Sequence, residues 1–338
     1  MSRIFLGCGN FGGIGSAPEL FGQGETREQA FRLMDAAWAA GINVFDTAAS
    51  YGGGRSESWV GEWRRERDVP VLLSTKVFWS VTGDPGDRGL GHDRILRELD
   101  GSLSRLETER VDLYLTHEPD EETPIEETLR ALDEVVDAGK AGAIGASNLD
   151  RAGLEEALET SDRLRLARYA WVQNEYSLLR REAETEVLPV CEREGLGFTP
   201  FSPLAGGWLT GKYRRDEAPS GSTRLGENPE RGVEAYDRRG RVERTWDVVA
   251  AVEKIADDRG ASMAQVALAW LHDRPGVTSV ILGARTSEQL ADNLGAAGLH
   301  LTAEETEALD AASDPGAADY PYGGPGTEQR SRRIEGGR

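Results

Sequence analysis

Asn43–Glu57 reads NVFDTAASYGGGRSE, and this order of residue types decides how the rest of the chain is arranged. Val44 and Phe45 form a short apolar run soon after Gly41, as a buried strand does where a helix has just ended. The run stops at Asp46, a carboxylate that a buried strand end tolerates only with a partner. Tyr51 follows, with Gly52, Gly53 and Gly54 directly after it. Three consecutive glycines suit neither a helix nor a strand; they let a backbone turn tightly or approach a ligand closely. A strand-end carboxylate and a phenol beside a glycine turn are groups suited to proton transfer. The same residues also fit a plain structural role, with Asp46 capping a turn and Tyr51 covering the loop.

Outward from this stretch, short apolar strands alternate with capped amphipathic helices. Candidate strands are Ile4–Gly7, Asn43–Asp46, Val71–Lys76, Val111–His117, Ala143–Ser147, Ala170–Glu175, Gly197–Ser202 and Ser279–Gly283. Helix starts are marked by Thr26-x-x-Gln29, Thr123-x-x-Glu126 with Pro124 at the first helical position, Ser262-x-x-Gln265, Thr286-x-x-Gln289 and Thr302-x-x-Glu305, which read as capping boxes. Gly41 and Gly139 stand where helix ends belong. Eight strands alternating with helices, without an internal linker, predict an α/β fold, the (β/α)8 TIM barrel, as a single domain over residues 1–338. The core is expected over about residues 3–313, and the tail 314–338, rich in Gly, Pro and charge, is expected to be partly disordered. A Tyr320-Pro321-Tyr322 patch in it is able to dock on the barrel. Residues 202–239, a long loop after strand seven, exceed an ordinary connection and read as a functional lid or a disordered segment.

Composition narrows the function. The 338 residues carry 59 acidic and 39 basic side chains, a formal charge of −20, which argues against nucleic acid and anionic membranes as partners. No signal peptide and no membrane-length apolar run is seen, and two distant cysteines, Cys8 and Cys191, make no disulfide framework, so a cytoplasmic location is expected. Zinc-ligand spacing, a nucleophile elbow and a P-loop are all missing from the sequence, and no metal is expected.

On a barrel of this kind active sites sit at the C-terminal ends of the strands. Asp46, Lys76, His117, Ser147-Asn148, Gln173 and Phe201-Ser202 all fall there. Lys76 beside Asp46 would be ion-paired, and a lysine close to Tyr51 would favour the phenolate and lower the tyrosine's pKa. After the last strand, in VILGARTSEQLADNLGA, Arg285 precedes Thr286 at a helix start. A helix N-terminus and an arginine fork suit phosphate, and Gly283, Gln289 and Asn293 extend that site.

These motifs together resemble those of the aldo-keto reductases across about residues 3–313. FDTAASYGGGRSE resembles the family signature with the aspartate and tyrosine of a catalytic tetrad, STK the motif of its lysine and DLYLTH that of its histidine. The resemblance implies Asp46, Tyr51, Lys76 and His117 as catalytic residues. GAIGASN is similar to the segment that holds the nicotinamide carboxamide, here Ser147 and Asn148, and WVQNEYSLL to that of the cofactor-binding glutamine, here Gln173. FSPLAGGWLTGK resembles the stretch that wraps the pyrophosphate, which implies contacts from Phe201, Ser202, Leu204, Gly206 and Lys212. Gly9, Asn10 and Asp46 would also touch cofactor, and Gly283, Arg285, Gln289 and Asn293 would clasp the adenosine phosphate. Departures are Phe201 where many members have Tyr, Asn10 where Thr or Ser is frequent, and Gly142 in place of a frequent Arg. The resemblance implies reduction of a small-molecule carbonyl substrate by NADPH, with Tyr51 as proton donor. A distant likeness to potassium-channel β subunits implies an alternative, a cofactor-binding regulatory module with negligible turnover. A Schiff-base aldolase using Lys76 is a further alternative. Phe78, Trp79, Trp208 and the tail around Tyr320 are candidates for lining the substrate pocket.

Overall fold

The computed structural model of the chain describes residues 1–221, 223–227 and 235–315. Its strands are β1 (Ile4–Gly7), β2 (Val44–Asp46), β3 (Leu72–Val77), β4 (Val111–Thr116), β5 (Ala141–Ser147), β6 (Tyr169–Gln173), β7 (Gly197–Phe198) and β8 (Val280–Leu282). All pair in parallel, in the order β7-β6-β5-β4-β3-β2-β1-β8. The two edges meet: Thr278 N–H donates to Phe198 O at 2.9 Å and Ile281 N–H to Pro200 O at 3.0 Å, which closes the sheet into a barrel. β7 is shorter than its expected span because Pro200 has no N–H to donate; only a bridge from Phe201 to Glu175 continues the pairing.

Helices pack around the outside: α1 (Arg27–Ala39), α2 (Arg55–Arg67), α3 (His92–Arg105), α4 (Ile125–Asp137), α5 (Arg151–Leu164) and α6 (Leu188–Glu194). They continue with α7 (Arg224–Glu227), α8 (Tyr236–Arg239), α9 (Glu243–Arg259), α10 (Met263–His272), α11 (Ser287–Leu294) and α12 (Ala303–Ser313). The capping boxes at Thr26, Ser262 and Thr302 form as expected. Thr286 accepts from Gln289 N–H, but the Gln289 carbonyl takes the N–H of Arg285 instead of that of Thr286. No box forms at Thr123. Its hydroxyl donates to the Asp120 carboxylate at 2.8 Å, a stronger acceptor close by, and Pro124 becomes the residue before the helix.

Alternation along the strands separates two cores. Phe5, Val44, Leu113, Leu115 and Ile281 fill the barrel interior, with Leu72, Trp171 and Phe201 against them. Leu6, Phe45, Leu73, Tyr114 and Leu282 face the other way, under the helices. The same parity turns Asp46 inward after Val44, Ser74 and Lys76 inward after Leu72, and Gln173 inward after Trp171. A polar layer therefore caps the apolar interior at the C-terminal rim.

Within the long segment after β7, a 3-10 turn at Ala205–Thr210 buries Trp208 completely. Its ring stacks on Tyr236 at 5.6 Å and meets Tyr213 and Trp246. Trp208 is thus a core residue and does not line a pocket, because its indole is consumed in fixing this segment to the barrel. The tail with Tyr320, and positions 222 and 228–234 of the expected lid, lie outside the described residues. Among the described residues no helix is long and apolar enough to cross a membrane.

Candidate active site

At the rim, the glycine run ahead of α2 shapes the first wall. Gly52, Gly53 and Gly54 have φ of 59°, 66° and 84°, and a Cβ at Gly52 would collide with the carbonyl of Phe11 in the loop after β1. The stretch is locked from behind by Thr47 Oγ1, which pairs with Ser56 Oγ at 2.7 Å, and by Glu57, fully buried against Thr75 and Arg105. Tyr51 is left facing the barrel mouth.

Lys76 Nζ lies 2.6 Å from Asp46 Oδ2 and donates to Thr47 O at 2.7 Å. Ser74 Oγ and Gln173 Nε2 donate to the other carboxylate oxygen at 2.7 Å and 2.9 Å. Asp46 is therefore satisfied on both oxygens although buried. Burial alone would pull the Lys76 ammonium down, but the charge of Asp46 and the Tyr51 phenol outweigh it and hold its pKa above the ordinary value. A lysine kept protonated in this way is a poor Schiff-base nucleophile, which counts against the aldolase alternative.

The Lys76 ammonium is 5.3 Å from the centre of the Tyr51 ring. Tyr51 OH is 3.4 Å from His117 Nε2, and the two rings meet edge to face. Here the expectation from sequence needs correction. Lys76 does draw the phenol's pKa down, but desolvation is larger, and Asp46 and Glu118 also push upward, so the net shift is above the usual value of 10. His117 goes the other way: burial, then Lys76, hold it down at about 3, so the imidazole is neutral. Its backbone N–H is fixed to Val77 O at 2.8 Å, and its carbonyl accepts from Asn148 Nδ2 at 3.0 Å.

All the catalytic and cofactor-binding residues nominated from sequence line one cleft of about 690 Å³: the four above with Gly9, Asn10, Ser147, Asn148, Gln173, Phe201, Ser202, Leu204, Gly206, Lys212, Gly283, Arg285, Gln289 and Asn293. Asn148, Ser202 and Ala205 adopt φ of 61°, 53° and 47°, uncommon for residues with a side chain. Lys212 lies over Gly207, where any Cβ would collide with it.

At the far end Arg285 NH2 reaches Glu227 Oε1 at 3.1 Å, and its Nε stands 3.9 Å from Glu25. Sequence reasoning missed Glu25, Glu227 and Glu118, which also line the cleft. None belongs to a motif, and a lone glutamate near a helix start gives no signal to distinguish it from a solvated one. Phe78 and Trp79 pair edge to face outside the cleft's lining. Among the described residues no group of His, Cys, Asp and Glu is arranged to hold a metal ion.

Comparison with known proteins agrees with this geometry. The Aldo/keto reductase family profile matches residues 3–314. A probable voltage-gated potassium channel subunit beta of Oryza sativa subsp. japonica is 39% identical over 280 residues, covering 82% of this chain and 84% of that protein. The uncharacterized oxidoreductase YrpG of Bacillus subtilis (strain 168) is 37% identical over 320 residues, 90% of each chain. The structure of the glycerol dehydrogenase AKR11B4 from Gluconobacter oxydans superposes with a TM-score of 0.76 at 30% identity, covering 92% of this chain and 91% of that one. With its barrel, its rim of polar side chains and this match over nearly its whole length, the chain belongs to the aldo/keto reductase family.

Proposed function

We propose that the chain reduces aldehydes or ketones to alcohols with NADPH, Tyr51 delivering the proton, and that about residues 3–313 act as one catalytic domain. The observation that carries the reading is the convergence of the Tyr51 hydroxyl, neutral His117 and the Lys76–Asp46 pair at one end of a cleft whose other end carries Arg285.

A nicotinamide nucleotide suits the groups present. Gln173 has given its N–H to Asp46, which leaves a buried Oε1 with no partner, and Asn148 has given Nδ2 to His117. The groups left over, two carbonyl acceptors and the Ser147 hydroxyl, match a carboxamide with its two N–H donors and one C=O. Phe201 offers an aromatic face, Lys212 a cation for pyrophosphate, and Arg285 with the N-terminus of α11 a site for the ribose phosphate.

When bound, the reduced nicotinamide supplies the hydride. The protein does the rest. His117, neutral and fixed through its backbone, orients the carbonyl oxygen toward Tyr51. Tyr51 would give its proton to the carbonyl oxygen as that atom becomes the alcohol oxygen. The high pKa of the resting phenol keeps that proton in place until then. The Lys76 ammonium, held charged by Asp46, stabilises the tyrosinate that is left.

A cofactor-binding regulatory module is the second reading, favoured by the 39% identity to the rice channel subunit. Following NADPH oxidation by absorbance across a panel of aldehydes, ketones and sugars separates the two. Turnover supports the reductase; tight NADPH binding with no turnover on any member favours the module.

A further inference from the structure

Glu25 brings a buried carboxylate to the adenosine end of the cleft, where the binding of a phosphate calls for cations. It sits in the loop after β1, immediately before α1, lines the cleft and is 4% exposed. The loop is held there by backbone pairing: Glu25 N–H donates to Asn10 O at 3.0 Å, and its carbonyl accepts from Gly12 N–H at 3.1 Å. Gly24, at φ 84°, makes the approach possible, since a Cβ there would collide with the carbonyls of Asn10 and Gly13. The side chain is placed but only half satisfied. Oε1 stands 3.9 Å from Arg285 Nε, and Oε2 has no hydrogen-bond partner.

We propose that Glu25 sets the nucleotide selectivity of the cleft, opposing a 2′-phosphate on Arg285 when ionised and accepting a hydrogen bond from a free 2′-hydroxyl. The inference rests on the reading that Arg285 receives the 2′ group of the ribose. Arg285 faces two carboxylates, Glu25 and Glu227, so its charge is already shared before a nucleotide arrives. A dianionic phosphate added beside an ionised Glu25 is repelled, whereas a hydroxyl finds an acceptor with a spare oxygen.

The protonation state of Glu25 is also accessible near neutrality. Burial lifts its carboxyl to about 7, against the pull of its own backbone N–H and of Arg285 from the loop after β8. Glu227 of α7 pushes in the same direction as burial. Below about pH 7 Glu25 is therefore protonated and can donate to phosphate; above it the carboxylate repels. NADPH affinity should fall relative to NADH affinity as pH rises through that value.

Titrating the full chain with NADPH and with NADH at about pH 6 and pH 8.5, by protein fluorescence, tests this. Wild-type protein should show an NADPH/NADH selectivity that is several-fold smaller at the higher pH. Glu25→Gln should tighten NADPH about ten-fold at pH 8.5 and far less at pH 6, while weakening NADH. The second ionisation of the 2′-phosphate near pH 6 acts on both proteins, so their difference isolates Glu25. Glu25→Asp, which keeps the charge, should retain the wild-type pH trend; a mere packing role would not preserve it. A wild-type ratio that changes between the two pH values just as that of Glu25→Gln does overturns the proposal. An unchanged ratio in Glu25→Gln, with Arg285→Ala still losing NADPH, overturns it and leaves the Arg285 reading standing. Arg285→Ala without effect on either nucleotide removes both.

Discussion

The two ends of the cleft are built on opposite plans. At the end with Tyr51, proposed as catalytic, each buried charge is answered inside the barrel: Asp46 holds Lys76 at 2.6 Å and accepts from Ser74 and Gln173 besides. At the end proposed for adenosine Arg285 is more than a third exposed, shared between Glu227 and Glu25, and one oxygen of Glu25 is left unpaired. The first region rises from strand ends whose alternation leaves little freedom. The second is assembled from the loops after β1 and β8 and from the end of α7. Asp46, Ser74, Lys76 and Gln173 sit on the sheet, with Tyr51 and His117 on the connections just beyond it, whereas Glu25, Glu227 and Arg285 all stand on connections.

This contrast is broken or sharpened by substitution. The largest effect is expected for Tyr51→Phe, which removes the proposed proton donor: kcat should fall by about a thousand-fold or more with NADPH affinity nearly unchanged. Appreciable turnover in that variant would make another acid responsible, with His117 the first to test. Lys76→Met comes next. It leaves Asp46 as a buried charge without its cation, so thermal or denaturant unfolding should show a loss of about 3–5 kcal/mol together with little remaining activity. Asp46→Asn should cause a milder defect, because the lysine's charge survives while its position does not. At the other end, Arg285→Ala should weaken NADPH by about ten-fold and hardly touch NADH or stability, as a half-exposed residue on a loop would. An Arg285 variant that also unfolds the protein would erase the distinction between the ends.

The smallest expected effect is an absence. Since burial and Lys76 hold His117 at about 3, it is neutral throughout ordinary assay conditions. Its titration should leave no acid limb in kcat/KM between about pH 5 and 7. Since burial keeps the Tyr51 phenol above its usual value, loss of the donor should appear only on the alkaline side, beyond about pH 10. A limb near neutrality that Tyr51→Phe abolishes would show that Lys76 outweighs burial after all.

The same difference explains what could be read from sequence. Asp46, Lys76 and Gln173 were legible because period-two alternation turns a strand's last polar residue inward and the barrel gathers those ends at one rim. The direction of Lys76's pull on Tyr51 was legible too, but its size against desolvation was not, because burial is set by the loops around the phenol. Thr123 looked like a capping residue; Asp120, three positions earlier, takes its hydroxyl instead. Trp208 looked like a pocket aromatic until Tyr213, Tyr236 and Trp246 enclosed it. Glu25, in the loop after β1, and Glu227, at the end of α7, are distant in sequence, and their convergence on Arg285 has no local signature.

The most direct test of the central claim tracks the hydride itself. NADPH carrying deuterium at the transferable C4 position would be incubated with the protein and an aldehyde that it reduces, and the alcohol analysed by mass spectrometry. The account predicts one deuterium on the carbinol carbon for each nucleotide oxidised. Alcohol without deuterium, or nucleotide bound tightly and never oxidised across aldehydes, ketones and sugars, would contradict it.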